Sequence, residues 1–239
     1  KVYQGIWRNV PVAIKSISLD FQQSTVLIEW RKELEIMTKL GNHPNILPFI
    51  GACTTQPSIL YLITKLCDLG SLYTYLIEKK KLLSSDQLNS ILLQSSSALE
   101  YLHSENVVHR DIAARNFLLC SPFQLYLADF GMSRFLSTDD STQKTSNNIG
   151  PIRWMAPESI LNGEYSKKSD VYMYGMFLYE VLFRKVPFYD IPNLLDVTEM
   201  VAAGERPPIL DETIQPMYMD IFTSCWSSNP SDRLSMTEI

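Results

Sequence analysis

Cysteine is scarce in this sequence, with four cysteines in 239 residues. Cys53, Cys67, Cys120 and Cys225 lie far apart and show no Cys-x-x-Cys spacing. This pattern indicates neither a zinc site nor a disulfide framework. It favours a reducing compartment, and we therefore expect a cytoplasmic domain.

Long apolar runs and excess positive charge are also lacking. The best apolar stretch, residues 175–183, is interrupted by Glu180 and is shorter than the roughly 18 residues that suggest a membrane span. The net charge is −5, whereas binding to a phosphate backbone needs a basic surface. We expect no direct membrane contact and no nucleic-acid partner for this segment.

The sequence does contain enough apolar residues for a sizeable core. Hydrophobic residues make up 46% of the chain. A chain of this length and composition can form one large domain or two lobes. The protein is therefore expected to be globular rather than disordered.

The residues suited to chemistry are concentrated in one stretch. Residues 109–116 read His-Arg-Asp-Ile-Ala-Ala-Arg-Asn, and residues 129–131 read Asp-Phe-Gly. Metal-assisted phosphoryl transfer requires one carboxylate for the substrate hydroxyl, and an amide and a second carboxylate for Mg²⁺. Asp111, Asn116 and Asp129 can supply these groups. Either motif alone could be an ordinary loop with a hydrophobic anchor, but here both occur in order and correctly spaced.

These motifs resemble the catalytic core of a eukaryotic protein kinase, close to the tyrosine kinases and tyrosine-kinase-like kinases. The resemblance covers nearly the whole chain and implies an α+β, two-lobed fold. Residues 1–66 would form the N-terminal lobe, a small antiparallel β-sheet with helix C, and residues 67–239 the larger, mainly helical C-terminal lobe. The family's glycine-rich loop and first strand are missing before Lys1. We therefore interpret the sequence as a truncated piece of a longer protein, and this loss could leave the piece inactive.

The first two predicted strands end in a lysine of functional interest. Residues 1–7 and 10–15 are rich in β-branched and aromatic residues around a polar Arg8-Asn9 turn. A lysine after Val-Ala-Ile is often only a strand end. By resemblance, Lys15 is the kinase lysine that pairs with the α- and β-phosphates of ATP.

A helix is predicted over residues 22–40, because apolar residues recur there at spacings of three and four. This segment resembles the kinase helix C. Glu33 lies on its apolar face and matches the glutamate that pairs with the lysine, whereas Glu29 and Glu35 are alternatives better suited to a solvated face. We expect an ion pair between Lys15 and Glu33.

The resemblance also identifies residues around the adenine ring. Two strands are predicted near residues 47–53 and 59–64; Thr64 would be the gatekeeper, and residues 65–67 the hinge whose backbone recognises adenine. Lys65 departs from the family's usual glutamate, which a backbone-mediated contact should tolerate. The predicted nucleotide contacts are Val2, Ala13, Lys15, Thr64, Lys65, Cys67 and Leu118.

Further family motifs follow Asp129. Gly-Pro-Ile-Arg-Trp-Met-Ala-Pro-Glu, ending at Glu158, resembles the tyrosine-kinase form of the Ala-Pro-Glu segment. A later motif matches the family's central buried helix, where Asp170 would anchor the catalytic loop and Tyr172 replaces the usual tryptophan. Arg233 would pair with Glu158, its alternative being an ordinary surface arginine.

The resemblance implies a mechanism with ATP and Mg²⁺ as cofactors and a protein substrate. Asp111 would accept or orient the proton of the substrate hydroxyl, Asn116 and Asp129 would hold Mg²⁺, and Lys15 would position the phosphates. Arg115 lies where tyrosine kinases carry an arginine. The same motifs also occur in tyrosine-kinase-like enzymes that phosphorylate serine and threonine, so tyrosine, serine/threonine and dual specificity all remain open.

The alternative from another class is a pseudokinase, a nucleotide-binding or scaffolding module. Its usual mark is loss of the lysine or of either motif aspartate. Lys15, Asp111 and Asp129 are all present, which favours an active parent protein. Upstream regulatory or receptor modules are compatible with this interpretation.

A switch is predicted in the polar segment after Asp129. In the family, an arginine such as Arg110 pairs with a phosphate on the activation loop and orders it. No tyrosine occurs between Tyr126 and Tyr165. The preferred phosphorylation site is therefore Thr145, followed by Ser146 and Thr142.

Overall fold

The protein combines an antiparallel sheet, formed early in the chain, with helices that dominate the later part. The computed structural model describes residues 1–18, 24–56, 59–136, 142–144, 150–211 and 214–239. Within these ranges the structure is the mixed α+β fold that the sequence predicts.

The early sheet has four antiparallel strands in the order β1-β2-β4-β3. They are β1 Val2–Trp7, β2 Val10–Ser18, β3 Phe49–Gln56 and β4 Ile59–Lys65. Arg8 and Asn9 join β1 to β2 with φ angles of 48° and 65°. A two-residue turn with positive φ at both positions matches the twist of the flanking strands. The turn therefore supports the register that places Val2 opposite Lys15.

Helix α1, Ser24–Lys39, carries the residues predicted for helix C. Its apolar face buries Trp30, Ile36 and Met37. Glu33 lies on the same face and is only 4% exposed. Burying a carboxylate without a partner is unfavourable. The groups that contact Glu33 therefore indicate what this residue does. Residues 19–23, where the prediction began the helix, are outside the described part of the chain.

The loop after α1 connects the early sheet to the later part of the chain. The backbone nitrogen of Leu47 donates to Leu127 O at 2.9 Å, and that of Leu127 donates to Asn45 O at 2.8 Å. Strand β3 therefore begins at Phe49, two residues later than predicted, because Leu47 pairs with another segment. These two hydrogen bonds fix Leu127, which ends the strand Gln124–Leu127 shortly before Asp129.

In the described part of the chain, five more α-helices follow. They are α2 Ser85–Ser104, α3 Pro157–Asn162, α4 Lys167–Phe183, α5 Leu194–Ala202 and α6 Pro216–Cys225. Helix α4 lies in the centre of the core, with fourteen of its seventeen residues buried. The described helices include none with the length and apolar character needed to cross a membrane.

Short strands position the predicted catalytic segments. They are β5 Gly70–Ser71, β6 Val107–Val108, β7 Phe117–Cys120, β8 Gln124–Leu127, β9 Arg134–Phe135, β10 Gln143–Lys144 and β11 Glu164–Tyr165. Residues 109–116, called the catalytic loop below, run from β6 to β7, and Asp129 follows β8. The Ala128 nitrogen donates to Asn116 O at 2.9 Å, which brings the two segments together.

Tyr172 lies in α4, at the position where the resemblance implies a tryptophan. The guanidinium carbons of Arg206 and Arg233 each lie 5.1 Å from its ring centroid. Its hydroxyl is buried without a hydrogen-bond partner among the described residues. The neighbouring Tyr174 differs, because its hydroxyl lies 3.0 Å from Ser95 Oγ. The ring of Tyr172 therefore contributes to packing, while its hydroxyl contributes no hydrogen bond here.

These two tyrosines make a matched prediction. Tyr172→Phe should leave the melting temperature unchanged or raise it, because it removes an unpaired buried hydroxyl and keeps the ring. Tyr174→Phe should cost about 1 kcal/mol, because it breaks a buried hydrogen bond. Thermal and urea unfolding of both variants would measure this, and greater destabilisation by Tyr172→Phe would contradict the interpretation.

Candidate active site

The catalytic loop is anchored by Asp170, a fully buried residue in the first turn of α4. Its carboxylate accepts hydrogen bonds from the backbone nitrogens of His109, at 2.7 Å, and Arg110, at 2.9 Å. Arg110 has a φ of 68°, in the left-handed region that non-glycine residues seldom adopt. The bond to Asp170 holds the backbone in this conformation and thereby orients the residue that follows.

Asp111 is that residue, and both of its carboxylate oxygens are engaged. Asn116 Nδ2 donates to Oδ2 and to the backbone oxygen of Asp111, each at 2.7 Å. Arg115 Nη2 contacts the other oxygen, Oδ1. The Asp111 side chain is still 15% exposed, and an ionised carboxylate has about four lone-pair sites. It can therefore still accept a hydrogen bond from a substrate hydroxyl.

Lys15 connects β2, α1 and the Asp-Phe-Gly motif. Its Nζ lies 2.9 Å from Glu33 Oε1 and 3.1 Å from Asp129 Oδ1. The ion pair expected between Lys15 and Glu33 is therefore present in the structure. The two alternative glutamates, Glu29 and Glu35, are exposed.

The charges of Lys15, Glu33 and Asp129 shift one another's pKa values. Burial would lower the pKa of Lys15, but the carboxylates of Asp129 and Glu33 outweigh it and hold that pKa above its ordinary value. Burial would raise the pKa of Asp129, but the Lys15 ammonium outweighs it and holds that pKa below its ordinary value. For Glu33, burial prevails over Lys15 and the pKa is raised. Near neutral pH, Lys15 is therefore protonated and Asp129 is ionised.

A cavity of about 210 Å³ opens beside these groups. Its lining includes the predicted residues Val2, Ala13, Lys15, Glu33, Thr64, Arg115, Asn116, Leu118 and Asp129. It also includes Met37, Leu47, Leu62 and Ala128, which were not predicted. Mostly apolar walls with a few convergent polar groups are typical of small-molecule sites.

The side chains of Lys65 and Cys67 do not line this cavity. Lys65 Nζ donates to the Tyr126 hydroxyl at 3.1 Å. Cys67 packs against a small cluster that contains Cys120. Burial and a hydrogen bond with Cys120 raise the pKa of the Cys67 thiol. Any contact of these two residues with adenine would therefore come from their backbone, as the resemblance implies.

The residues present are suitable for Mg²⁺ with a phosphate ligand. The Asn116 amide nitrogen is committed to Asp111, so the amide oxygen is the atom suited to a cation. The Asp129 side chain is 51% exposed and offers carboxylate oxygen. No cluster of three or more His, Cys, Asp or Glu occurs in the ranges that the structure describes. Mg²⁺ usually takes one or two carboxylates together with substrate phosphates and water, so a larger cluster is not needed.

Arg110 contacts the segment that follows the Asp-Phe-Gly motif. Its Nη2 donates to Gln143 Oε1 at 2.8 Å, and its guanidinium carbon lies 4.5 Å from the Tyr165 ring centroid. Burial, reinforced by the charge of Arg134, lowers the pKa of Arg110 to about 10. Sequence reasoning did not identify Gln143, because a glutamine in a polar segment carries no distinctive signal.

Of the predicted phosphorylation sites, only Thr142 falls within the described residues. It is exposed and precedes Gln143 directly. Thr145 and Ser146 lie outside the described residues.

Glu158 and Arg233 form a buried ion pair. Arg233 Nη1 and Nη2 donate to the two carboxylate oxygens of Glu158 at 2.6 Å and 2.8 Å. The Arg233 side chain is fully buried, which excludes the alternative of a surface arginine. The pair joins the Ala-Pro-Glu segment to the C-terminal end of the sequence.

Glu180 also lies close to the catalytic loop, although the sequence showed it only as an interruption of an apolar stretch. Its carboxylate accepts a hydrogen bond from the backbone nitrogen of Ala114. Burial raises the pKa of Glu180 to about 7, against the opposing effect of that bond. The sequence signal that could have identified Glu180 is a carboxylate within the apolar stretch of residues 175–183.

The sheet with α1, the cleft and the anchored catalytic loop together define a protein-kinase catalytic fold. A family model described as protein tyrosine and serine/threonine kinase matches residues 1–239. The chain belongs to this family.

Its relatives include kinases of different stated specificities. The chain is 35% identical over 245 residues to the tyrosine-protein kinase transforming protein Abl of Abelson murine leukemia virus, covering 100% of this chain and 32% of that protein. It is 35% identical over 240 residues to a probable serine/threonine-protein kinase of Dictyostelium discoideum, covering 100% of this chain and 25% of that protein. It is 32% identical over 244 residues to the serine/threonine/tyrosine-protein kinase HT1 of Arabidopsis thaliana, covering 100% of this chain and 61% of that protein. The chain thus spans only part of the length of these relatives.

Proposed function

We propose that this chain is the catalytic region of a protein kinase that transfers the γ-phosphate of ATP to a protein hydroxyl. The observation that carries the proposal is the bridge that Lys15 makes between Glu33 and Asp129, at the edge of a cavity that Asn116 also lines. The fully formed bridge argues against the pseudokinase alternative. Family membership supports the same reaction class.

Each predicted residue has a role in this proposal. When bound, Mg·ATP supplies the phosphoryl group and the positive charge of the metal. Asp111 accepts the proton of the substrate hydroxyl, and Arg115 holds its carboxylate in place. Asn116 and Asp129 hold the metal, and Lys15 orients the phosphates.

The proposal also includes contacts between the cleft and the adenine ring of ATP. Val2, Ala13, Thr64 and Leu118 provide contacts with the ring, and the backbone of Lys65 and Cys67 provides the hinge.

We retain residues 1–66 and 67–239 as the two lobes. All four cysteines are free thiols, which supports a reducing, cytoplasmic setting, with regulatory modules elsewhere in the parent protein.

The proposal covers both classes of acceptor hydroxyl, because the relatives named above are tyrosine, serine/threonine and mixed kinases. The test is incubation of the parent protein with γ-labelled ATP, Mg²⁺ and a peptide library, followed by phosphoamino-acid analysis. Labelled phosphotyrosine, phosphoserine or phosphothreonine is expected. Binding of Mg·ATP with no transfer to any peptide would favour the scaffold alternative.

A regulatory role is proposed for Arg110, with phosphorylation at Thr145, Ser146 or Thr142. The Arg110 side chain already contacts the described part of the activation segment through Gln143, which supports this placement. A phosphate can add one to three charge-assisted hydrogen bonds. The double variant Thr145→Ala/Ser146→Ala should lose activity, and Arg110→Ala should make activity independent of loop phosphorylation. Full activity of the alanine variant, with an unmodified loop by mass spectrometry, would contradict the proposal.

The Lys15–Glu33 pair gives a specific prediction. Lys15→Met and Glu33→Gln should each lower kcat/KM, and the double variant should be less impaired than the product of the two effects. The expected coupling is about 0.5 to 3 kcal/mol, because both changes disrupt one contact. Glu29→Gln provides the control, and its effect should be independent of Lys15→Met. Coupling to Glu29 in place of Glu33 would show that the wrong glutamate was chosen.

A further inference from the structure

Glu180 is a buried carboxylate that the proposed mechanism does not use. It lies in α4 and is 1% exposed. Its Oε2 is 2.8 Å from the backbone nitrogen of Ala114 and 2.9 Å from Nε1 of Trp154. One oxygen atom therefore holds the catalytic loop and the turn Ile152–Trp154, two segments that are distant in the sequence.

Trp154 in turn supports Arg115. The Arg115 guanidinium carbon lies 4.7 Å from the centroid of the Trp154 ring, within the range of cation–π attraction. The same guanidinium contacts Oδ1 of Asp111. Because the Arg115 side chain is 37% exposed, burial alone does not fix it, and the indole and the carboxylate provide the constraints.

The burial of Glu180 also needs an explanation. Its other oxygen, Oε1, has no hydrogen-bond partner in the described part of the chain. A buried carboxylate with one unpaired oxygen is unfavourable for stability unless its remaining interactions compensate. Its hydrogen bonds are the two at Oε2. One comes from Ala114, the residue before Arg115, and the other from Trp154, on whose ring Arg115 stacks.

We propose that Glu180 and Trp154 are positioning residues for phosphoryl transfer. Oε2 of Glu180 fixes the indole of Trp154 and the backbone of Ala114, and the fixed indole holds Arg115 against Asp111. The inference rests on the proposed function for its effect on turnover, whereas the placement of Arg115 can be measured without turnover.

The kinetic expectation separates this role from nucleotide binding. Trp154→Leu removes the ring face, so Arg115 and Asp111 lose their fixed geometry and kcat should fall roughly 10- to 100-fold. The KM for ATP should change much less than kcat, because neither Trp154 nor Glu180 lines the nucleotide cavity and Arg115 is only one of its lining residues. Trp154→Phe keeps an aromatic face without Nε1–H and should lie between wild type and Trp154→Leu. Glu180→Gln keeps an acceptor oxygen and should restore most of the turnover lost in Glu180→Met.

A double-mutant cycle tests whether Trp154 acts through Arg115. If it does, Arg115→Ala/Trp154→Leu should turn over no more slowly than Arg115→Ala alone. If Trp154→Leu instead slows the Arg115→Ala variant by the same factor as it slows wild type, the positioning role is wrong. Should Glu180→Met fail to fold, the two Trp154 variants and this cycle still decide the question.

The NMR signal of the Arg115 Nε–H group provides the measurement that does not depend on activity. Stacking on the indole should shift this signal upfield in wild type and in Glu180→Gln. The shift should be lost in Trp154→Leu and Glu180→Met, with Arg115→Ala providing the assignment. If the signal behaves this way but wild type transfers no phosphate, the proposed function fails while the placement of Arg115 is supported. An unchanged signal in both Trp154→Leu and Glu180→Met would overturn the inference.

Discussion

Replacing Asp111 with asparagine is expected to lower kcat about 10²- to 10⁴-fold, the usual contribution of a general base. Asparagine has nearly the same shape as aspartate but cannot accept the hydroxyl proton. Its side-chain oxygen can still accept a hydrogen bond from Asn116, which now donates to Asp111 Oδ2 at 2.7 Å. The amide loses the contact that Arg115 makes with Oδ1, but the backbone hydrogen bonds to Asp170 remain. The loop should therefore keep its conformation, and the melting temperature should remain close to that of wild type.

The corresponding change at Asp129 should have a different signature. Asp129→Asn removes the charge that we propose binds the metal, and it removes the partner of Lys15 at 3.1 Å. Mg²⁺-dependent nucleotide affinity should therefore fall together with kcat. Asp111→Asn should leave that affinity largely intact. Asp220→Asn, at an exposed position in α6, is a matched control that should change neither quantity.

Steady-state kinetics and calorimetric titration with Mg·ATP would separate the two variants. Wild-type turnover in Asp111→Asn would remove Asp111 from the role of base. Unchanged Mg²⁺-dependent affinity in Asp129→Asn would remove Asp129 from the metal site. Because the two outcomes are independent, each assignment can fail alone.

Sequence patterns anticipated features that depend on local spacing. The period of residues 22–40 placed Glu33 on the buried face of a helix, and the structure shows this glutamate bonded to Lys15. Asp111 and Asn116 were both identified as site residues, five positions apart in one short loop, and the structure shows their side chains in contact. Such relations require little knowledge of the remaining chain.

Contacts between segments that are distant in the sequence could not be predicted from local spacing. Residues 65–67 were predicted as a hinge, but the pairing of Lys65 with Tyr126 depends on a strand about sixty residues later. Cys67 and Cys120 lie far apart in the sequence, yet they pack in one cluster. Neither residue type nor spacing encodes these contacts, because tertiary packing decides them.

Helix α4 shows how a buried apolar element can organise polar loops. Its two acidic residues, Asp170 and Glu180, are almost fully buried. Asp170 accepts hydrogen bonds from two backbone nitrogens of the catalytic loop, and Glu180 accepts one. The helix thus holds both ends of that loop, near His109 and near Ala114. The geometry around Asp111 therefore depends on groups that lie outside the cleft.

Disrupting the ion pair between Glu158 and Arg233 is expected to have the largest effect on stability. Glu158→Gln leaves a fully buried guanidinium without its counter-charge, and losing one partner of such a pair typically costs about 3 to 5 kcal/mol. Arg233→Met should cost a similar amount, because it strands the carboxylate and also removes donors to the backbone oxygens of Ser227 and Lys168, both at 2.8 Å.

The double variant Glu158→Leu/Arg233→Met distinguishes charge burial from packing. Replacing both charges with apolar groups removes the stranded charge, so this variant should be more stable than Arg233→Met alone. It should remain below wild type, because the backbone oxygens of Ser227 and Lys168 still lack their donor. Urea unfolding would measure all three free energies. Glu35→Gln is the control: it breaks the exposed pair with Lys39 and should change stability by no more than about 0.5 kcal/mol. If Glu158→Gln were as mild as that control, the buried pair would not stabilise the connection between the Ala-Pro-Glu segment and the C-terminal end of the sequence.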